Sequence, residues 1–570
     1  MKVLPDSVAD LVARVLAARG VPRVFALCGG HIMPIWMSLD KHGIAIVDVR
    51  DERAAVHMAQ AHAELTGQLG VALVTAGPGM TNSITGIANA HVSRAPVLVL
   101  AGTNPRPQEN RGGLQDLDHT QLVRTITRYA RTVREPALAL QELDEAIARA
   151  LGEGGEPGPS YIDFPVDTLR AIVPRALQLD EHIRPKRRTV LEPDPAQIAA
   201  AVDLLWNARR VLVISGRGAR DAGPELIALL DRLGAVYLDT GESRGLVPDQ
   251  HPSVVGAMRG AVMGNADVVL TVGRRLDFQL AYGSPAVFGQ AQFVRIADVA
   301  AELRDNRRGA AEILASPKAA LRALVETAGN RESAVDRDWA AKLRAGHEER
   351  AVKLKLSMAN AKPGSDGRMH PNKVVAALQE AIGQNAIVIT DGGDFLSFAR
   401  IGLSAPAMLD PGPFGCIGVG VPYGIAAGLA FPDRPVVVAT GDGAFGFNAM
   451  EIDTAARHKS PVLFVVANNG AWQIEVHDQT VTYGKVVGTR LQFADHAAMA
   501  RAFGLHAERV EREADLAPAI ARALANRPAL LDVVVTPEAV SSDAKTGLAW
   551  VPDLQPLAAW NKAEKQWRDG

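Results

Sequence analysis

The chain of 570 residues has only two cysteines, Cys28 and Cys416, far apart in sequence. That excludes a disulfide framework and a cysteine-built zinc site, and it points to a reducing compartment. Charge of neither sign is in excess: 61 basic residues face 63 acidic ones, for a net charge of −2. Nothing there recommends nucleic acid or a membrane surface as a partner. Long apolar runs are missing as well. No window is apolar for long enough to span a bilayer, and the opening MKVLPDSVADLVARVL carries Asp6 and Asp10 where a signal peptide needs an apolar core. The expectation is a cytoplasmic protein. Short-period repeats are also absent.

What is present is an ordinary globular composition, 48% hydrophobic and 22% charged, at a length that calls for three domains. Strand-like apolar runs at residues 24–27, 44–49, 71–76 and 97–101 alternate with helix-like stretches. Such alternation argues for a parallel sheet with helices on both faces. The same alternation returns twice, so the expected fold is α/β with three doubly wound parallel-sheet domains. Their boundaries are drawn at 1–170, 196–330 and 366–536. A polar, basic, proline-punctuated stretch at 171–195 reads as a linker and the charged stretch 331–365 as a connecting helix. Residues 537–570 form a C-terminal segment whose tryptophans at 550, 560 and 567 need a packing partner.

The most informative stretch is 436–472. Residues 436–440 are β-branched and apolar, as in a buried strand, and Gly441-Asp442-Gly443 ends them. Asn448 and Glu451 then have capping-box spacing before a helical pattern. A second apolar run at 462–467 ends at Asn468-Asn469. Strands of a βαβ unit point the same way, so Asp442 and Asn469 arrive at one sheet edge and can share a ligand. A carboxylate, an amide oxygen and close-approaching glycines suit magnesium, which completes its shell with water and substrate phosphates.

This spacing of GDG and NN resembles the diphosphate-binding motif of thiamine diphosphate enzymes. The resemblance implies that Asp442, Asn469 and the backbone carbonyl of Ala471 hold Mg2+ on the cofactor's diphosphate, with Gly441 and Gly443 beside it. Upstream, Glu52 in Arg50-Asp51-Glu52-Arg53 matches the acid that activates the cofactor's pyrimidine, although Asp51 stands where relatives often have His. Gly77, Pro78 and Asn82 match the loop beneath the pyrimidine, and Ile417 matches the apolar wedge that bends the cofactor. Gln115 matches a glutamine that many of these active sites use. His31, Ile32, Trp472 and Gln473 fall where relatives meet substrate; a lone His in such a loop also serves simply as a satisfied loop residue.

Within the family, Gly273-Arg274-Arg275-Leu276-Asp277-Phe278 resembles a stretch of oxalyl-CoA decarboxylases and 2-hydroxyacyl-CoA lyases. That branch implies an acyl-CoA substrate, cleavage of a 2-hydroxyacyl-CoA, such as 2-hydroxyisobutyryl-CoA, to formyl-CoA and an aldehyde or ketone, and a middle domain that can hold ADP through Arg275 and Asp298. It also implies a C-terminal lid over the bound CoA, and a homodimer or homotetramer with sites shared between subunits. The acceptor of the substrate hydroxyl proton stays open between Glu475 and the region of Gln492, where an acid is expected. Alternatives are an oxalyl-CoA decarboxylase, an acetolactate-synthase-like carboligase, a thiamine diphosphate oxidase and a catalytically silent paralogue.

Overall fold

A computed structural model describes residues 6–174, 189–546 and 552–569. Among these, seventeen strands form three sheets, all of parallel strands. The first sheet contains β1 (Arg23–Ala26), β2 (Ala45–Asp48), β3 (Gly70–Val74), β4 (Val97–Thr103), β5 (Tyr129–Thr132) and β6 (Ser160–Pro165), in the order β2-β1-β3-β4-β6-β5. Strands β3, β4 and β6 are buried along their whole length, which is why β3 and most of β4 read as apolar runs.

The middle sheet has β7 (Val211–Ser215), β8 (Val236–Leu238), β9 (Val268–Val272), β10 (Gln292–Ala297) and β11 (Ala311–Leu314), ordered β11-β10-β9-β7-β8. The third has β12 (Ile387–Asp391), β13 (Ala407–Leu409), β14 (Val436–Gly441), β15 (Val462–Asn468), β16 (His506–Val510) and β17 (Ala529–Val534), ordered β13-β12-β14-β15-β17-β16. The first and third sheets therefore share one strand order, and in each the loops that carry the candidate residues leave the same carboxyl edge.

The two outer domains touch through small residues. Helix Glu52–Thr66, with Ala54, Ala55 and Ala59 buried, packs on helix Gly420–Ala430, itself rich in glycine and alanine, in one shared core. Small side chains let the helix backbones approach, and the polar exceptions are matched: Asn89 Nδ2 donates to the Tyr423 hydroxyl at 3.0 Å. Among the described residues no helix is long and apolar enough to cross a membrane.

Three expectations are corrected here. Asn448 and Glu451 do not form a capping box: the helix breaks in two, Asp442–Phe447 and Glu451–Arg457. Asn448 Nδ2 instead donates to the carbonyl of Gly418 at 2.6 Å, and Glu451 serves the first domain. The linker is shorter than its composition indicates, because Val173 N–H still donates to the Asp6 carbonyl of the first domain and Asp194 already caps helix Pro195–Asn207 through the amide of Ala196; residues 175–188 lie outside the described ones.

The third correction concerns the C-terminal segment, which does not fold as one lid over the first or third domain. Helix Ser542–Thr546 lies on helix Asp394–Gly402, where the Ser397 and Ser542 hydroxyls are 3.0 Å apart. Helix Ala558–Asp569 docks on the middle domain, with Trp560 against its core, Glu564 accepting from the Ser284 hydroxyl, and Gln555 Nε2 donating to Glu564 at 3.0 Å. Apolar surface and buried hydrogen bonds together fix it there. Trp550 lies outside the described residues.

Candidate active site

Glu52 opens its helix behind Asp51, whose side chain caps the amide of Arg53 at 2.8 Å. It is buried, yet Asn82 Nδ2 donates to its Oε2 at 3.1 Å. Its Oε1 faces Gly79, where a Cβ would stand 3.0 Å away, so only glycine leaves the carboxylate its room. Thr75 fills the space between Gly79 and Gly29: a Cβ on either glycine would meet its side chain, at 2.7 and 2.4 Å. The loops after β1, β2 and β3 thus form one floor. Gly77 (φ +59°) packs on Gln115, which is half-buried and also left-handed at φ +63°. Pro78 is exposed at the head of the following helix.

His31 stands in the short turn Gly30–Ile32 after β1, with Ile32 fully buried beneath it. Its Nε2 lies 2.8 Å from Asn104 Oδ1, while the buried Nδ1 has no hydrogen-bond partner in the structure. Asn104 itself is buried and was not singled out from sequence, where an asparagine past a strand looks like any turn residue.

On the third sheet, Asp442 is buried and neither carboxylate oxygen has a partner with hydrogen-bond geometry. Burial pushes its carboxyl up to about 6, opposed by the nearby amides of Asn469, Gly470 and Gly443. A buried, unpartnered carboxylate is costly unless a cation answers it. Asn469 follows β15, and its Oδ1 accepts the Ala471 amide at 3.2 Å in a tight turn. The donor set, one carboxylate with an amide oxygen and a backbone carbonyl, fits a small hard cation. Trp472 does not reach outward: its indole lies on Gly443, where a Cβ would be 2.6 Å from the ring, and edge-on to Phe447. Gly441 faces the Gly392 loop, with the Phe395 side chain 3.8 Å from where a Cβ would stand.

Ile417 is half-buried between Cys416 and Gly418. The peptide after it is clamped: Asp391 Oδ2 accepts the amides of Gly418 and Gly420 at 3.0 and 2.8 Å, and Asn448 donates to the Gly418 carbonyl. Asp391 is fully buried, which pushes its carboxyl up to about 6. It too escaped sequence reasoning, although an acid directly after the apolar run 387–390 was the available signal.

Other predicted residues do not join these groups. Glu475 and Gln492 are exposed. Gln473 is buried, but its Nε2 donates to the Pro537 carbonyl at 2.6 Å, tying the root of the C-terminal segment to the third domain. Arg275 and Asp298 part company: Arg275 pairs with Glu156, whereas Asp298 lines a cavity of about 900 Å3 together with Arg217, Arg220 and Glu242. Burial, with Arg94 nearby, lowers the Arg217 guanidinium to about 9.

Within one chain the groups on the first and third sheets are linked through neighbours of Glu52. Glu451 Oε1 accepts the amides of Arg50 and Asp51, each at 3.0 Å, and Arg53 donates to the Phe447 carbonyl at 2.8 Å. Beyond them, the ion pair of Asp48 with Arg457 and the hydrogen bond between His458 Nε2 and Asp48 Oδ1 at 2.8 Å extend the junction.

Comparison with known proteins gives this geometry its family. Models described as the N-terminal TPP binding domain, central domain and C-terminal TPP binding domain of thiamine pyrophosphate enzymes match residues 6–122, 198–324 and 391–533. The chain belongs to the thiamine pyrophosphate enzyme family. It is 34% identical over 541 residues to a probable acetolactate synthase of Mycobacterium bovis, covering 92% of this chain and 95% of that one. It is 31% identical over 549 residues to 2-hydroxyacyl-CoA lyase 2 of Homo sapiens, covering 88% and 85%, and 31% identical over 547 residues to the protein of that name in Caenorhabditis elegans, covering 88% and 84%. The outer domains of this thiamine pyrophosphate enzyme are its cofactor-binding domains, and the middle one is the family's central domain.

Proposed function

We propose that the protein is a thiamine diphosphate- and Mg2+-dependent lyase that cleaves a 2-hydroxyacyl-CoA to formyl-CoA and an aldehyde or ketone. The observation that carries cofactor and metal is the buried carboxylate of Asp442, unpartnered on both oxygens beside Asn469 and Ala471. The lyase reading rests on the stretch 273–278 and on the relatives named 2-hydroxyacyl-CoA lyase 2.

Bound thiamine diphosphate supplies a nucleophilic thiazolium carbon and an electron sink. The protein's part is to hold and to move protons. Asp442, Asn469 and the Ala471 carbonyl would hold Mg2+ beside the diphosphate. Glu52, whose Oε2 accepts from Asn82, would hold or release the proton that activates the cofactor. Ile417, its peptide fixed by Asp391 and Asn448, would be the apolar support for the cofactor. Gln115 and Trp472 border the reacting centre.

His31 lies in the loop that would meet substrate, with its ring held by Asn104 through Nε2 at 2.8 Å; its Nδ1 is enclosed by the protein, so the acceptor of the substrate hydroxyl proton stays with Glu475 or the region of Gln492. Glu475 and Gln492, exposed in one chain, belong to the face that a second copy covers. Exposed apolar side chains flank both groups, Leu114 and Met37 on one and Tyr483 and Val481 on the other, which supports a homodimer or homotetramer with shared sites. The middle cavity, bordered by Arg217, Arg220 and Asp298, suits the phosphates and ribose of ADP.

The second reading is a carboligase acting on 2-oxo acids, favoured by the 34% identity to the probable acetolactate synthase. Mass spectrometry of products from several 2-hydroxyacyl-CoA thioesters, with pyruvate as control, decides between them. Formyl-CoA from the thioesters and no product from pyruvate is expected; acetolactate from pyruvate would establish the second reading.

A further inference from the structure

The amide of Gly77 is buried at the head of helix Pro78–Ser93, and its acceptor comes from another loop: Gly77 N–H donates to His119 Nε2 at 2.9 Å. A ring nitrogen that accepts carries no proton, so the proton of a neutral imidazole sits on Nδ1. There it is donated to Asp163 Oδ2 at 3.1 Å, and the Tyr161 hydroxyl donates to the same oxygen at 2.9 Å. Two donors on one oxygen suit an ionised carboxylate. His119, Asp163 and Tyr161 are 2%, 1% and 0% exposed, so neither substrate nor bulk water reaches them in this structure. The pair has the look of a base and its orienting acid, yet both ring nitrogens are already engaged inside the protein.

We infer that His119, oriented by Asp163, is a positioning residue that fixes the loop at residues 77–79 against Glu52 and ties it to the loop carrying Gln115. This rests on the reading of those loops as the floor beneath the cofactor's pyrimidine. The contacts on either side are too close to absorb movement. A Cβ on Gly77 would stand 2.7 Å from Gln115 Cβ, and one on Gly79 would stand 3.0 Å from Glu52 Oε1. Gly77 also holds φ at +59°, so its peptide plane is set by its hydrogen bond as well as by sterics. His119 lies four positions beyond Gln115, at the start of helix His119–Val123, and Asp163 lies on β6. The sheet thus orients the ring, the ring orients the glycine peptide, and the peptide sets the clearance of the Glu52 carboxylate. Loss of the acceptor would leave a buried N–H unpaired and free the loop to move toward water.

The test compares the full-length protein with its His119→Gln, His119→Leu and Asp163→Asn variants. Two quantities are read: hydrogen exchange of the peptide containing Gly77, by mass spectrometry without cofactor, and thiamine diphosphate affinity with Mg2+, by calorimetry. His119→Leu should speed exchange and weaken affinity by about tenfold each, the effect of one buried donor left unpaired. His119→Gln, whose amide oxygen can accept, should return both to within about threefold of wild type. Asp163→Asn, which can donate to Nδ1 and move the ring proton to Nε2, should behave like the leucine variant, and it carries the test alone if that variant does not fold. Unchanged exchange in His119→Leu, a glutamine variant as impaired as the leucine one, or a wild-type-like Asp163→Asn overturns the inference. A wild-type protein that binds no thiamine diphosphate would sink the cofactor reading, while the exchange comparison still judges the clamp.

Discussion

Glu451 reaches from the third domain into the first and accepts the backbone amide of Asp51, the residue in front of Glu52, at 3.0 Å. The same oxygen takes the Arg50 amide, so two consecutive N–H groups converge on one acceptor separated from them by 400 residues of chain. The segment that presents Glu52 is therefore shaped by the element that follows the Asp442 loop.

Burial pushes the Glu451 carboxyl up to about 7, against the pull of the Thr454 hydroxyl and the two amides. Because the folded value lies above the unfolded one, the native state keeps a proton that the unfolded chain has released. The stabilisation is full below about pH 4.5 and fades as pH rises through 7. Asp442 and Asp391, both raised to about 6, act in the same direction over a lower window. The melting temperature of cofactor-free protein should fall from pH 5 to pH 8, and Glu451→Gln should fall less steeply. An equally steep profile in the variant would remove Glu451 from the account. Glu451→Ala, which loses both amide bonds, should cost about 2 kcal/mol of stability at pH 6.

Asp442→Ala should abolish retention of thiamine diphosphate and Mg2+ in calorimetry, since only uncharged protein oxygens would remain for the metal. The cofactor-free variant should melt higher than wild type at pH 8, because a buried charge without a partner has been removed. Retained affinity would break the metal assignment.

Glu52→Gln should bind cofactor within about threefold of wild type and lose at least about a thousandfold in turnover, the scale of a lost proton-transfer group. Rates measured at saturating thiamine diphosphate and Mg2+ are the check. Comparable turnover would end the activation role.

Deleting residues 552–570 should lower the melting temperature, because Ser284 and the apolar face under Trp560 lose their cover. Glu564→Ala should reproduce part of this loss, about 1–3 kcal/mol for a buried acceptor removed from its donors. Scanning calorimetry of both variants tests it; an unchanged melting temperature with a raised KM for acyl-CoA would return the segment to the role of a lid.

The parts legible in the sequence were those written in short spacing. Alternating apolar runs marked the three parallel sheets, and a GDG turn and an Asn pair after successive strands could only arrive at one edge. Long-range partners left no such mark. Glu451 sits three residues after Asn448 and looked like its capping partner, whereas its acceptor role depends on how two domains meet. His119 and Asp163 are 44 positions apart and pair because β6 lies beneath the His119 helix. Arg94 is buried with Glu302 and Glu242, an arrangement that only the packing of the first domain on the middle one creates. The C-terminal segment announced by its tryptophans that it docks, but not where.

The indole of Trp472 rests directly on Gly443, in the turn that would meet the diphosphate. It is also half-buried and edge-on to Phe447, so its surroundings change when that turn is filled. The protein thereby carries its own optical reporter of loading. Binding at the third domain can be followed by the ultraviolet emission of Trp472, without a label and without turnover, in a variant whose other tryptophans are replaced by phenylalanine.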